Sequence, residues 1–191
     1  MANQKPLSEL SIDPTTRPKA PAIDGVTADQ RRKGGHLALI HRHHLQEMSR
    51  IARVLEAIEA GQSDASTLPN LILSLDMTRN FRAFGNMCGQ ECRMLTFHHD
   101  AEEQMMFPQL EEKGSAGLRA VVMRLREEHL VVHELIDRLH EAAVALVSDP
   151  GAQQFAATCD IFKALEQAVR SHFSYEETEL AEAIGVHLDF I

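Results

Sequence analysis

Two short segments of the chain repeat the same order of metal-binding side chains. His98 is followed four residues later by Glu102, and His172 is followed four residues later by Glu176. Residues with this spacing lie one turn apart on the same face of an α-helix. Each segment therefore offers an imidazole nitrogen and a carboxylate oxygen to one point in space, and both are ligand types that bind transition metals.

Two further segments add histidines to this pattern. His129 and His133 again lie four residues apart, and His41 and His44 lie on the apolar stripe of the first predicted helix. Asp100, Glu103 and Glu177 are expected to be solvated or to lie outside the first ring of ligands. The remaining histidines are expected to face solvent, and they are His36, His43, His99, His140 and His187.

The helices that must position these residues follow from the hydrophobic periodicity. Apolar residues recur at steps of three and four in four segments, and no segment shows the two-residue alternation of a half-buried strand. The predicted helices run from about residue 27 or 35 to 60, from 66 to 113, from 115 to 147 and from 153 to 184. Short connections between long amphipathic helices favour antiparallel neighbours. The predicted fold is therefore all-α, an up-down-up-down four-helix bundle.

The positions of the helix breakers provide a check on this fold. Sixteen residues separate His98 from Gly114, and 15 separate Gly114 from His129. The breaker at 150–151 lies 21 residues from both His129 and His172. Folding the chain at these breakers brings the three histidines to one level. The first hairpin carries about 11 surplus residues, which predicts an irregular stretch between residues 61 and 85.

Length and composition indicate one helical domain, residues 34–188, preceded by an N-terminal arm, residues 1–33. The chain has 191 residues, of which 44% are hydrophobic, enough for a single core. The arm carries four of the seven prolines and is expected to be poorly ordered and without a chemical role.

The charge balance argues against several kinds of partner. A net charge of −9 disfavours binding to nucleic acid or to an anionic membrane surface, because both require a surplus of Lys and Arg. No apolar run is long enough for a membrane span, and the N-terminus lacks the order of a secretory signal. The protein is therefore expected to be soluble and cytoplasmic.

The four histidine segments resemble the hemerythrin-like, or HHE cation-binding, family over about residues 36–184. The resemblance rests on one histidine in the first helix, the paired motifs in the other three, and the surrounding Phe107-Pro108, Glu127-Glu128 and Tyr175. It implies a non-haem centre of two iron ions joined by an oxo or hydroxo bridge. The implied metal ligands are His41, His98, Glu102, His129, His133, His172 and Glu176.

Within that set, the resemblance implies that His129, His133 and His172 bind one iron and that His41 and His98 bind the other. The two glutamates would bridge the ions, and the second iron would keep a position for O₂ or peroxide. His44 departs from the family pattern, so it either replaces His41 as a ligand or stands beside the site as an acid or base.

The resemblance leaves the reaction open between two readings. One is an enzyme that disproportionates H₂O₂ in the manner of a catalase, with His44 and Tyr175 moving protons. The alternative is reversible O₂ binding for carriage or sensing, or a role linked to iron or nitric oxide. A ferritin-like or manganese-catalase site is disfavoured because those sites use Glu-x-x-His and more carboxylates than imidazoles. A structural zinc site would leave three of the seven ligands unexplained.

Overall fold

A computed structural model of the chain describes residues 5–60, 90–149 and 151–188. Within these ranges the regular structure is helical and no strand is present, which confirms the predicted all-α class. No helix in the described part is both long and apolar enough to cross a membrane. The helices are α1 (Ala28–Gly34), α2 (Leu37–Glu59), α3 (Gln90–Ala101), α4 (Phe107–Lys113), α5 (Ala116–Ser148) and α6 (Ala152–His187).

The first predicted helix is two helices in the structure. Thr27 caps α1, because its hydroxyl accepts from the backbone N–H of Gln30 while the Gln30 side chain accepts from the N–H of Thr27. The helix ends at Gly34, and α2 begins at Leu37. Both starting points that the sequence offered, near 27 and near 35, are therefore real helix starts.

The second predicted helix is described only from residue 90. It comprises α3, one wide turn of π-helix at Glu102–Met106, and α4, which ends before Gly114 as expected. The predicted start near residue 66 and the irregular stretch at 61–85 lie outside the described residues.

The third and fourth predicted helices form a hairpin close to the expected bounds. The hydroxyl of Ser115 accepts from the N–H of Leu118 and caps α5. Residues 149–151 separate α5 from α6, and α6 continues to His187, three residues beyond the prediction. The short connection makes the two long helices antiparallel neighbours.

Two apolar clusters pack on either side of a polar layer. Helix α5 passes from Leu125 in one cluster through His129 to Val132 in the other, and α6 passes in the opposite sense. Helix α2 and the α3–α4 segment show the same alternation of direction. The first cluster includes Met48, Leu55, Leu95, Leu139, Phe162 and Val169, and the second includes Leu37, Phe107, Leu110, Leu125, Leu180 and Ile184.

The N-terminal arm, which the sequence predicts to be poorly ordered, lies against the helices from residue 5 onwards. Leu10 is buried in the first apolar cluster, and Ala20 and Ile23 pack against the second. The hydroxyl of Tyr175 donates to the carbonyl oxygen of Pro18 at 2.7 Å. The arm is thus fixed to the core by apolar burial as well as by hydrogen bonds.

Helix α1 crosses α6 at two glycines. A Cβ atom on Gly34 would overlap the backbone carbonyl of Ala181, and one on Gly185 would overlap the carbonyl oxygen of Gln30. The two backbones therefore approach more closely than any side chain permits. This contact joins the end of the arm to the last turns of α6.

Candidate metal centre

The polar layer contains a metal-binding cluster of five histidines and two glutamates, contributed by α2, α3, the wide turn, α5 and α6. All except His98, which is partly exposed, are buried. The members of the cluster are His41, His98, His99, Glu102, His129, His172 and Glu176.

The cluster divides into two groups that share Glu102. In each group, one ligand atom from every residue lies within 4.8 Å of the others. The first group contains His99, Glu102, His129 and His172, and the second contains His41, His98, Glu102 and Glu176. Each set of donors could hold a metal ion, and the two sets are joined by a common carboxylate.

The wide turn places Glu102 at the point where the helix changes register. The N–H of Phe107 bonds the carbonyl oxygen of Glu102, five residues earlier, and Pro108 has no N–H to continue the usual pattern. The extra residue in this turn lets Met106 and Phe107 both be buried. Phe107 then stacks on the His129 ring, with the ring centroids 5.5 Å apart, and covers the first group with apolar surface.

Three imidazoles of the cluster form hydrogen bonds to glutamate carboxylates through Nδ1. The Nδ1–H groups of His41 and His129 donate to Glu177 and Glu103, both at 2.9 Å. His172 Nδ1–H donates to Glu128 at 3.2 Å. A carboxylate on Nδ1 fixes the tautomer and leaves Nε2 as a lone pair that can bind metal.

The Nε2 atoms of the cluster face one another across short distances. His129 Nε2 lies 3.2 Å from His172 Nε2, and His41 Nε2 lies 3.0 Å from His98 Nε2. His129 and His172 each donate their Nδ1 proton to a carboxylate. Neither Nε2 of that pair therefore carries a proton that could form a hydrogen bond to the other. Two such lone pairs repel each other unless a cation lies between or beside them.

The carboxylates of the cluster are also left without ordinary partners. Both oxygens of Glu102, both oxygens of Glu176 and Nε2 of His99 are buried and form no hydrogen bond with the described residues. Glu102 Oε1 lies 3.1 Å from His98 Nε2, but without hydrogen-bonding geometry. Buried polar atoms are normally paired, so these five atoms fit a site built for metal ions.

Burial sets the protonation states of the cluster. It lowers the pKa of His41 to about 2 and that of His98 to about 3, and it lowers the pKa values of His99 and His129 in the same direction. Burial raises the pKa of Glu176 to about 7, and burial together with the nearby Glu176 raises that of Glu102. Without metal, these four imidazoles are neutral at pH 7, and both carboxyl groups hold their protons to a higher pH than an exposed glutamate does.

Three of the predicted site residues lie outside the two groups. His133 is partly exposed, and its Nε2 lies 3.1 Å from Nδ1 of His99. His44 is buried beside the second group, with its ring centroid 5.6 Å from that of His98. The hydroxyl of Tyr175 donates to Pro18 in the arm. The structure brings together six of the seven predicted ligands and takes His41 rather than His44 into the cluster.

His99 was expected to face solvent, and the structure shows that this is wrong. Its side chain is fully buried and stacks on His129, with the ring centroids 4.0 Å apart. The prediction assumed that only one line of residues on the helix faces the core. A core-facing stripe is at least 100° wide, which includes two consecutive residues. The adjacent pair His98-His99 was the available signal.

Known proteins provide an independent comparison. A family model described as the hemerythrin HHE cation-binding domain matches residues 35–184, about the range over which the sequence motifs resemble that family. Neither the comparison with curated proteins nor that with solved structures gives a match. The match spans most of the chain and includes all seven residues of the cluster, so the chain belongs to the hemerythrin HHE cation-binding family.

Proposed function

We propose that the metal-binding cluster holds two iron ions and that the protein reacts with H₂O₂ there, disproportionating it as a catalase does. The observation that supports two ions is the pair of facing Nε2 contacts, His41 with His98 and His129 with His172. Mixed imidazole and carboxylate donors suit iron, and the family is one of cation-binding domains. A pair of iron ions, when bound, would give two electrons to one H₂O₂ and take two back from a second, so that two peroxides yield O₂ and two water molecules.

The proposed ligand set differs from the one implied by the resemblance at one position. His99, His129 and His172 would hold one ion, and His41 and His98 would hold the other. Glu102 lies in both groups, and Glu176 Oε2 lies 3.5 Å from His41 and 3.8 Å from His172. In this proposal both carboxylates would be shared between the two ions. His133 would fix the orientation of the His99 ring through the contact between its Nε2 and His99 Nδ1.

The surrounding fold proposed for this centre is the antiparallel four-helix bundle, formed by residues 34–188. Its support is the alternating direction in which successive helices pass between the two apolar clusters. The bundle keeps the ligands on helices, where packing fixes their positions. Location in the cytoplasm remains a prediction.

The case for peroxide rests on polar groups beside the ligands. His44 is buried next to His98, and the carboxylates of Glu103 and Glu177 adjoin ligand imidazoles. Cleaving the O–O bond requires proton movement, which such groups perform. The burial of the cluster limits the substrate to small molecules.

Reversible O₂ binding, for carriage or sensing, is the second candidate, and the position of Tyr175 favours it. Its hydroxyl donates to the carbonyl oxygen of Pro18, and burial raises the pKa of Tyr175 well above its ordinary value, so the phenol is a poor source of protons. A catalytic role for Tyr175 would require the arm to release this hydroxyl. Phe173, stacked on His41 with ring centroids 3.7 Å apart, gives that side of the cluster an apolar wall.

One experiment separates the two candidates. The protein is loaded with Fe²⁺ without air, and its visible spectrum is recorded as O₂ is admitted and removed, while a second sample receives H₂O₂ and evolved O₂ is measured. Sustained O₂ evolution that falls at least tenfold in His44→Gln supports the peroxide enzyme. A colour that reverses under argon, without O₂ evolution, supports a carrier or sensor.

The proposal of a metal pair is tested separately from the reaction. His172→Ala removes a ligand of the first group and should lower the iron content from two ions to one or none per chain. His140→Gln, which changes an exposed histidine, provides the control. Full occupancy in His172→Ala would overturn the ligand assignment, and a wild-type protein that binds no iron would overturn the proposed function.

A further inference from the structure

The N-terminal arm crosses the polar layer in the same way as the helices do. Leu10 is buried in the first apolar cluster, with Ile12 packed against that cluster, and Ala20 and Ile23 pack against the second. Arg17 lies in the sequence between the part of the arm at residues 10–12 and the part at residues 20–23. A charged residue is therefore present where the arm passes the metal-binding cluster. Its side chain is only 10% exposed, which is unusual for an arginine on a surface segment.

Arg17 makes a two-pronged contact with Glu128. Its Nε donates to Oε1 and its Nη2 donates to Oε2, both at 2.8 Å. The guanidinium also lies over the ring of Tyr175, 4.5 Å from the centroid. Such paired hydrogen bonds fix a carboxylate in position and orientation more strictly than a single contact does.

Glu128 transmits this constraint to a proposed metal ligand. The same oxygen that accepts from Arg17 Nη2 also accepts from Nδ1–H of His172 at 3.2 Å. Glu128 is almost fully buried, and Arg124 contacts its other oxygen at 3.1 Å. A continuous line of contacts therefore runs from the arm, through Glu128, to the ring that presents Nε2 to the first group.

We propose that Arg17 is a positioning residue of the metal centre and that the arm is thereby a working part of the site. Arg17 holds Glu128 in the orientation that keeps the proton of His172 on Nδ1 and its lone pair on Nε2. Without Arg17, Glu128 retains Arg124 but loses the partner that fixes its second oxygen. The His172 ring then loses its fixed tautomer, and the metal bound to it is held less tightly. This inference rests on the proposed metal-binding function.

The test compares Arg17→Gln with Lys19→Gln, which removes the same charge from an exposed residue two positions along the arm. Both proteins are loaded with Fe²⁺ without air, and the release of iron to an excess of chelator is timed. Loss of a group that orients a metal ligand commonly lowers metal affinity by about 10–100-fold. We expect Arg17→Gln to release iron at least tenfold faster than the wild type, and Lys19→Gln to release it at the wild-type rate.

A second measurement needs no metal. Nitrogen-15 NMR of the imidazole rings in the metal-free protein reports which nitrogen of His172 carries the proton. We expect the Nδ1–H form in the wild type and in Lys19→Gln, and a mixture of both forms in Arg17→Gln. This measurement reports the state of the His172 ring itself, which the rate of iron release alone does not.

The route through Glu128 is tested by combining substitutions. Glu128→Gln alone should release iron faster, and adding Arg17→Gln to it should have almost no further effect, because both changes break the same line of contacts. Additive effects would overturn the proposal, as would a wild-type tautomer or a wild-type release rate in Arg17→Gln. If the wild-type protein binds no iron, the proposed function fails, and the NMR comparison still decides the role of Arg17.

Discussion

His98 and His99 are consecutive residues of α3, yet their imidazoles serve different halves of the metal-binding cluster. His98 Nε2 faces His41 of α2 at 3.0 Å, and His99 Nδ1 faces His133 of α5 at 3.1 Å. Consecutive residues on an α-helix point about 100° apart. Helix α3 contacts both α2 and α5, so this angle directs one ring towards each neighbour.

The first prediction concerns which histidine completes the first group. His99→Ala should reduce the iron content by about one ion per chain, because His99 is fully buried within the group. His133→Ala should retain both ions and release them faster, because His133 lies outside the group and contacts the rings of its members His99 and His129. Metal analysis after loading with Fe²⁺ and gel filtration measures both. The reverse result would restore the ligand set that the family resemblance implies.

The second prediction concerns protons displaced by metal. Burial raises the pKa of Glu176 to about 7 and raises that of Glu102, whereas His41 and His98 already lack a proton at neutral pH. Metal binding at pH 6.5 should therefore release about one to two protons from the carboxyl groups. The number should fall as the pH rises above 7.

Calorimetric titration in buffers of different ionisation enthalpy counts these protons. Glu176→Gln serves as the comparison, since it removes one of the two carboxyl groups and should reduce the release by up to one proton. Binding that releases no proton at pH 6.5 would show that the carboxylates are already ionised in the metal-free protein.

The third prediction concerns the stability of the metal-free protein. His41, His98, His99, His129 and His133 have pKa values lowered by burial, so the unfolded chain binds more protons than the folded one below pH 6.5. The free energy of unfolding should therefore rise with pH until about 6.5. The raised pKa values of four glutamates act in the opposite direction above about pH 4.5, but the five histidines outnumber them; the four are Glu102, Glu103, Glu176 and Glu177.

Urea unfolding at several pH values between 4.5 and 7 checks this balance. Each net proton corresponds to about 1.4 kcal/mol per pH unit. His129→Gln removes one contributing imidazole and should make the rise less steep. A profile that falls between pH 4.5 and 6.5 would mean that the carboxyl groups dominate.

The fourth prediction concerns the crossing of α1 and α6. Gly185→Ala places a methyl group on the carbonyl oxygen of Gln30, and backbone atoms cannot move aside without separating the helices. We expect a loss of about 1–3 kcal/mol in the free energy of unfolding, the usual range for overpacking. Gly35→Ala is the control, because its Cβ would lie 3.4 Å from the nearest atoms and its backbone is already helical. Thermal unfolding followed by circular dichroism compares the two variants.

The sequence by itself determined the helical class, the bounds of α5 and α6 to within three residues, and six of the seven residues in the cluster. It could do so because the His-to-Glu spacing of four residues and the apolar steps of three and four are properties of a single helix. The distances from His98 and His129 to Gly114 also depend only on the rise per residue. Patterns within single helices were therefore enough to predict the ligand pairs and to predict that His98 and His129 lie at the same height along neighbouring helices.

Only the tertiary structure decided how each helix is turned and what covers it. His99 enters the cluster and His133 stands behind it because α3 lies between two neighbours, which no pattern within one helix records. Arg17 reaches Glu128 across 111 positions of the chain, and Tyr175 reaches Pro18 across 157. Contacts between segments so distant in sequence depend on packing of the whole core, and for this reason the arm's place beside the metal centre was not predictable from its composition.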